Sequence, residues 1–226
     1  ALASLYTQAS ADSIRYVDTH GETFDTSAAV ANDVFRRNQL VTRYANGCVT
    51  AVNGSKSERL RTEVDGVALD LPPNGYWGCG SNGAVRVFSG DVNGRRADLS
   101  VSPDYTYVDG RGAFTRFPEG ASAGVAICRT LPADVVEILL LNTAEAGFPF
   151  TAIKAVALDK ANASLGPATV RTARGLSYVQ PVKNAFAYRV FKSSKPPAAT
   201  LTCERERVVP GERLTVRGTA PHEAAI

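Results

Sequence analysis

Residues 40–78 read LVTRYANGCVTAVNGSKSERLRTEVDGVALDLPPNGYWG. Four Asn-Gly or Asp-Gly pairs punctuate the stretch: Asn46-Gly47, Asn53-Gly54, Asp65-Gly66 and Asn74-Gly75. Such pairs favour the positive backbone angles of tight hairpin turns. Between them lie short runs rich in Val, Leu, Thr and Tyr. Leu40, Thr42 and Tyr44 alternate with Val41, Arg43 and Ala45, and Cys48 to Val52 reads as the returning strand. Arg59 to Val64 alternates charged and less polar residues, as a strand with one wet face does. Pro72-Pro73 ends the next run at Leu71, because proline cannot donate to a ladder. Tyr76 to Cys79 and Ala84 to Phe88 form a further hairpin across Ser81-Asn82-Gly83.

The pattern continues outward from this stretch. Arg95–Val101, Asp104–Val108, Ser122–Arg129 and Val135–Asn142 read as strands. So do Ala155–Asp159, Ala168–Arg171, Leu176–Pro181 and Phe186–Phe191. Strands recurring every 8–12 residues or so with turn signals between them predict an all-β, antiparallel β-sandwich. The sandwich region spans 38–191, either as one unit or as two packed subdomains divided near 90–103. Residues 1–37 differ and read as a short α/β lead-in from a preceding domain. Leu2, Leu5 and Tyr6 suit a helical face, Ser13 to Val17 a strand, and Thr26-Ser27 before AAVANDVF a capped helix. Residues 192–199, KSSKPPAA, read as a linker stiffened by two prolines. Residues 200–226 read as strands around Pro210-Gly211, the opening of a truncated immunoglobulin-like domain.

Composition limits the function. Of the 226 residues 44% are hydrophobic and 21% charged, ordinary for a globular protein with a core. The net charge is +3 and the basic residues are scattered, which argues against nucleic acid. The longest apolar run, Val135 to Leu141, is interrupted by Glu137 and is too short to span a membrane. The N-terminus lacks the basic and apolar regions of a signal peptide, and no Met occurs, so the chain reads as a processed product or fragment. The cysteines Cys48, Cys79, Cys128 and Cys203 show no CxxC spacing, and with two histidines they predict no metal site and no cofactor. Cys48 and Cys79, on neighbouring strands, are candidates for a disulfide; buried free thiols are the other reading.

No catalytic constellation stands out. Asp65, Asp70, Asp91, Asp98, Asp104 and Asp109 sit mostly where turns are expected, where Asp caps the backbone. His20 and His222 have no nucleophile elbow nearby. Gly78-x-Gly80-x-x-Gly83 has dinucleotide-loop spacing but lies in a hairpin with no following helix. Asn53-Gly-Ser55 and Asn162-Ala-Ser164 match the glycosylation pattern, which is too common to weigh. The remaining candidates are aromatic. Tyr76, Trp77, Tyr105 and Tyr107 either fill the core or form a platform for sugar rings, which stack on amphipathic aromatic faces.

Arg43-Tyr44-Ala45-Asn46-Gly47, Val52-Asn53 and Leu71-Pro72-Pro73-Asn74-Gly75-Tyr76 occur in an order and spacing that has a familiar counterpart. The stretch resembles the β-sandwich module that follows the (β/α)8 catalytic barrel in large bacterial glycoside hydrolases. Residues 10–90 carry the likeness; SIRYVDTHGETFDTSAA is similar to the exit from such a barrel, and Pro210 to Val216 to the start of an immunoglobulin-like module. In that family the catalytic acids belong to the barrel, so none maps onto this chain. The resemblance implies a non-catalytic accessory region of a secreted or cell-surface enzyme. Its partners would be the catalytic domain of the same polypeptide and polysaccharide or glycan. An independent carbohydrate-binding module and a structural or adhesive surface protein of tandem β domains are the competing readings.

Overall fold

The computed structural model describes residues 2–193, 200–203 and 216–219. The chain opens with one helical turn, α1 (Ala3–Tyr6), then β1 (Ala11–Val17) and β2 (Thr23–Phe24), which pair. Helix α2 (Thr26–Ala31) follows, capped by Asp25, whose Oδ1 accepts from the Ala28 N–H at 2.8 Å. The cap thus lies one residue before the expected Thr26, where an extended backbone aims the side chain at the orphan amide. A 3₁₀ turn at Val34–Arg37 leads into the β region.

That region begins with β3 (Gln39–Tyr44), β4 (Val49–Asn53), β5 (Leu60–Val64), β6 (Val67–Leu71) and β7 (Tyr76–Cys79). Next come β8 (Arg86–Val92), β9 (Arg95–Val101), β10 (Tyr105–Asp109), β11 (Thr115–Phe117) and β12 (Gly120–Ser122). Then follow β13 (Val125–Leu131), β14 (Val135–Leu141), β15 (Ala146–Phe148), β16 (Ala152–Leu158) and β17 (Ser164–Ala168). β18 (Val170–Ala173), β19 (Leu176–Val179) and β20 (Ala187–Lys192) complete it. Two further strands, β21 (Thr200–Cys203) and β22 (Val216–Thr219), pair antiparallel with each other. The prolines of the expected linker, the Pro210 to Thr215 part of the expected immunoglobulin-like opening and His222 lie outside the described residues.

The protein is an all-β antiparallel sandwich. Thirteen strands form one sheet in the order β17-β16-β20-β14-β13-β10-β9-β8-β7-β4-β3-β1-β2. β11, β12, β15, β19 and β18 form a second, five-stranded sheet, and β5–β6 is a separate hairpin. Because side chains alternate across a strand, register defines the faces of the large sheet. One cross-strand row runs Arg15, Val41, Ala51, Trp77, Phe88, Leu99, Val108, Ala126, Leu140. This is the covered face.

Two layers cover it at different places. The β5–β6 hairpin sets Leu60, Val64, Leu69 and Leu71 against Val17, Val41, Val49 and Ala51. The five-stranded sheet sets Phe117, Ala146, Phe148 and Val179 against Val108, Ala126, Ile138, Tyr188 and Val190. Phe88 packs against both cores. Its ring meets Phe117 edge-on at 6.1 Å, an arrangement aromatic quadrupoles favour. In the covering sheet Tyr178 lies over its cross-strand partner Gly147, and a Cβ there would come within 2.5 Å of the Tyr178 ring.

The turn pairs divide into classes. Asp65-Gly66 and Asn93-Gly94 are two-residue hairpin turns with both φ angles positive, at 51° and 78° and at 53° and 76°. Arg174-Gly175 makes the same turn without the expected Asn or Asp. Asn53-Gly54 is no turn of this kind. Asn53 is fully buried at the end of β4, and its Nδ2 donates to the carbonyls of Glu58, Leu71 and Pro72 at 2.8–2.9 Å. Its Oδ1 accepts from Gln39 Nε2 at 3.1 Å and the Ser55 N–H at 3.2 Å. Asn53 therefore fastens the β5–β6 hairpin to the large sheet and is closed to glycosylation in the folded protein.

Candidate functional site

The opposite face of the large sheet has no second sheet over it among the described residues. One row on it runs Tyr16, Leu40, Val52, Tyr76, Ser89, Asp98, Asp109. The next runs Ile14, Thr42, Thr50, Gly78, Val87, Ser100, Tyr107. Helix α1 lies on the second row, with Leu2 buried over Gly78: a Cβ on that glycine would stand 2.5 Å from Leu2 Cδ2. The first row stays open, and Tyr76 is 44% and Val52 40% exposed.

A polar cluster stands between Tyr76 and Tyr107. Asp98 is nearly buried; its Oδ1 accepts from Ser89 Oγ at 2.5 Å and its Oδ2 from Arg111 Nε at 2.7 Å. Arg96 donates to Ser89 Oγ from Nε at 3.1 Å and from Nη2 at 3.0 Å. The same guanidinium donates to the carbonyls of Pro73 and Asn74 at 3.1 and 2.7 Å, fixing the loop that delivers Tyr76 to the face. Arg111 keeps about half of its side chain exposed while bound to Asp98. Ionised hydrogen-bond partners of this kind hold geometry well.

The electrostatics follow from this packing. Partial burial, then the Asp98 charge, pushes the Tyr76 phenol above its ordinary range. Burial, then Asp109 and Asp98, does the same to Tyr107. The hydrogen bond to Asp98 stabilises the Arg111 cation further. Both phenols thus remain protonated well above neutral pH and present a donor hydroxyl on an apolar ring. They lie three strand spacings and one row apart, roughly 16 Å between backbones.

The aromatic candidates separate. Tyr76, Tyr105 and Tyr107 belong to the uncovered face, with Tyr105 one row further along, opposite Arg129. Trp77 belongs to the other face and packs on the core beneath the β5–β6 hairpin. The sugar-platform role considered for Trp77 does not fit that position. Cys48 and Cys79 are free thiols, not a disulfide. The ladder pairs Val49 with Cys79, so Cys48 falls one residue past the position opposite it. Among the acids expected at turns, Asp65 sits in one, and Asp109, the last residue of β10, caps the turn after it by accepting from the Arg111 N–H at 2.8 Å; Asp70, Asp91 and Asp98 lie within strands.

Sequence reasoning missed Ser89, Arg96 and Arg111, and treated Asp98 as one acid among many. A signal was present: Asp98 interrupts an otherwise strand-forming run, and a carboxylate in mid-strand demands partners. With both oxygens held by protein donors, Asp98 is poorly placed to exchange protons with a substrate. Among the described residues no three His, Cys, Asp or Glu side chains gather as metal ligands. No helix among them is long and apolar enough to cross a membrane. No family model, curated protein or solved structure matches the chain.

Proposed function

We propose that this chain is a non-catalytic β-sandwich module that holds glycan on the uncovered face of its large sheet. The observation that carries the reading is the pairing of Tyr76 and Tyr107 across the Ser89–Asp98–Arg111 cluster. Stacking on a sugar needs a rigid, half-exposed ring with hydrogen-bonding groups beside it. Both tyrosines stand on strands and so are held more firmly than loop residues, and Arg111 offers an exposed cation for hydroxyl oxygens. The separation of the two tyrosines, three strands apart on one face, suits a chain of several sugars better than a single one.

The likeness to accessory regions of glycoside hydrolases supports the same reading and adds a parent enzyme that degrades polysaccharide outside the cell. A buttressing role toward its catalytic domain is favoured by one further observation. Val52, the cross-strand partner of Tyr76, and Ile14, three strands from Tyr76, are exposed on the same face, in a form suited to a protein neighbour.

The test is depletion from solution by insoluble polysaccharides, with wild type beside Tyr76→Ala and Tyr107→Ala. Binding by wild type and loss of about tenfold or more in each variant is expected. Wild-type protein that remains in solution with every polysaccharide overturns the glycan reading. Hydrolysis by the purified chain overturns its non-catalytic part.

A further inference from the structure

The two rows of the uncovered face that carry Tyr105 and Tyr107 continue across the sheet beyond β10. The first runs Tyr105, Arg129, Glu137, Arg189 and the second Tyr107, Ile127, Leu139, Ala187. Ile127 and Leu139 are only half-buried, so an apolar strip leads from Tyr107 toward β20. It ends in a cavity of about 260 Å³. Arg129, Glu137 and Leu139 line this cavity from the sheet, Asp159, Lys160 and Asn162 from the β16–β17 turn, and Phe186 from the position before β20.

The walls are fixed by their own hydrogen bonds. Asp159 Oδ1 accepts from the Ala161 and Ala163 N–H groups, both at 2.8 Å. Arg189 Nη2 donates to Asn162 Oδ1 at 3.2 Å, which stands the turn on the uncovered face. The Phe186 N–H donates to the Leu158 carbonyl at 2.7 Å, yet Phe186 is 41% exposed. Glu137 Oε1 pairs with Arg129 at 3.1 Å, and Arg129 keeps 59% of its side chain in solvent. Both lining carboxylates are thus engaged by the protein. The exposed Lys160 ammonium has no ion pair among the described residues, so the uncompensated charge at this end of the face is positive.

We infer that this cavity is the end subsite of the glycan-holding face and takes an acidic sugar, a uronate residue. The carboxylate pairs with Lys160 and with the exposed part of the Arg129 guanidinium, and the C–H face of the ring lies on Phe186. The volume falls just under the usual small-molecule range and admits one ring. The rest of the glycan crosses the strands over Leu139 and Ile127 to Tyr107 and on to Tyr76. That path covers the six strand spacings from β20 to β7, roughly 28 Å. The choice of a sugar rests on the glycan reading of the same face; its acidic character comes from the cavity.

The experiment measures, by calorimetry, binding of the hexasaccharides of galacturonate, mannuronate and guluronate beside cellohexaose and xylohexaose. At least one uronate is expected to bind about tenfold or more tightly than either neutral chain. Lys160→Met and Phe186→Ala should each weaken that binding about tenfold. Lys56→Met, at an exposed position in the loop after β4, should leave it unchanged, which separates a site from general attraction to a positive protein. Lys160→Met keeps the side-chain stem on an exposed turn, so it remains informative if Phe186→Ala unfolds. Uronate binding that Lys160→Met and Lys56→Met weaken equally, or that neither Lys160→Met nor Phe186→Ala weakens, overturns the subsite. Neutral chains bound as tightly as the uronates overturn it too, and the glycan reading survives where that binding depends on Tyr76 and Tyr107. Binding of none of the five hexasaccharides also overturns it, while depletion by insoluble polysaccharides decides the glycan reading separately.

Discussion

Tyr76 and Trp77 are adjacent in sequence and sit on opposite faces of the same sheet. Tyr76 pairs with Ser89 on the uncovered side, and Trp77 pairs with Phe88 over the core. One residue of register decides which ring can meet a ligand. Trp77→Ala should therefore cost about 3 kcal/mol in urea unfolding. Tyr76→Ala should stay within about 1 kcal/mol of wild type. Equal losses for the two variants would contradict the assignment of faces.

The buried Asn53 amide is a sharper test of the smaller core. Asn53→Asp replaces a donor to three carbonyls with a carboxylate facing them. The unsatisfied carbonyls and the buried charge together should lower stability by at least about 3 kcal/mol. Thermal unfolding at neutral pH measures it, and part of the loss should return on acidification as the new carboxyl takes up a proton.

Cys128 links stability to alkaline pH. The folded thiol is pushed up to about 12 by burial, while an unfolded cysteine titrates near 8.5. Between those values the unfolded chain releases a proton that the folded chain retains, so stability falls as pH rises. The slope contributed by this group approaches about 1.4 kcal/mol per pH unit. Comparing denaturant midpoints of wild type and Cys128→Ala from pH 8 to 11 or so isolates it; parallel curves would refute it. Burial raises Cys48 in the same direction, so alkylation mapped by mass spectrometry should label Cys48 and Cys128 only on unfolding.

Gly147 has ordinary backbone angles, so an alanine is excluded there by contact alone. A Cβ would meet the Tyr178 ring at 2.5 Å, and that ring is buried with Ala121 and Leu176. Gly147→Ala should destabilise by about 1–3 kcal/mol through overpacking. Gly147→Ala with Tyr178→Leu should recover part of that loss, as judged by a double-mutant cycle of unfolding free energies.

Longer strands were legible because alternation needs length to show itself. Arg95–Val101 was expected with the bounds it has, and Val135–Leu141 to within one residue. The covering sheet was not legible where its strands have three residues. Gly120–Ser122 and Ala146–Phe148 are buried at every position, so no polar partner marks the period. Asn-Gly pairs misled for a related reason. Asn53 and Asn74 have the right residue type for a hairpin, but tertiary hydrogen bonds put Asn53 to another use. The tyrosines of the candidate site could be picked out by type, yet their grouping depended on which strands became neighbours. Nothing local to Asp98 announces Ser89 across one ladder and Arg111 in the loop after β10.

The unbroken ladder across β8 and β9, with Phe88 shared by both cores, has a mechanical consequence. Seven residue pairs stand in register between these strands, so the two halves have no hinge between them. Swivelling one half would require breaking that ladder and withdrawing an aromatic ring from two interiors at once. The sandwich behaves as a strut. Whatever is attached at one end is held at a fixed bearing to whatever the other end engages, and a tug at either is carried through the sheet.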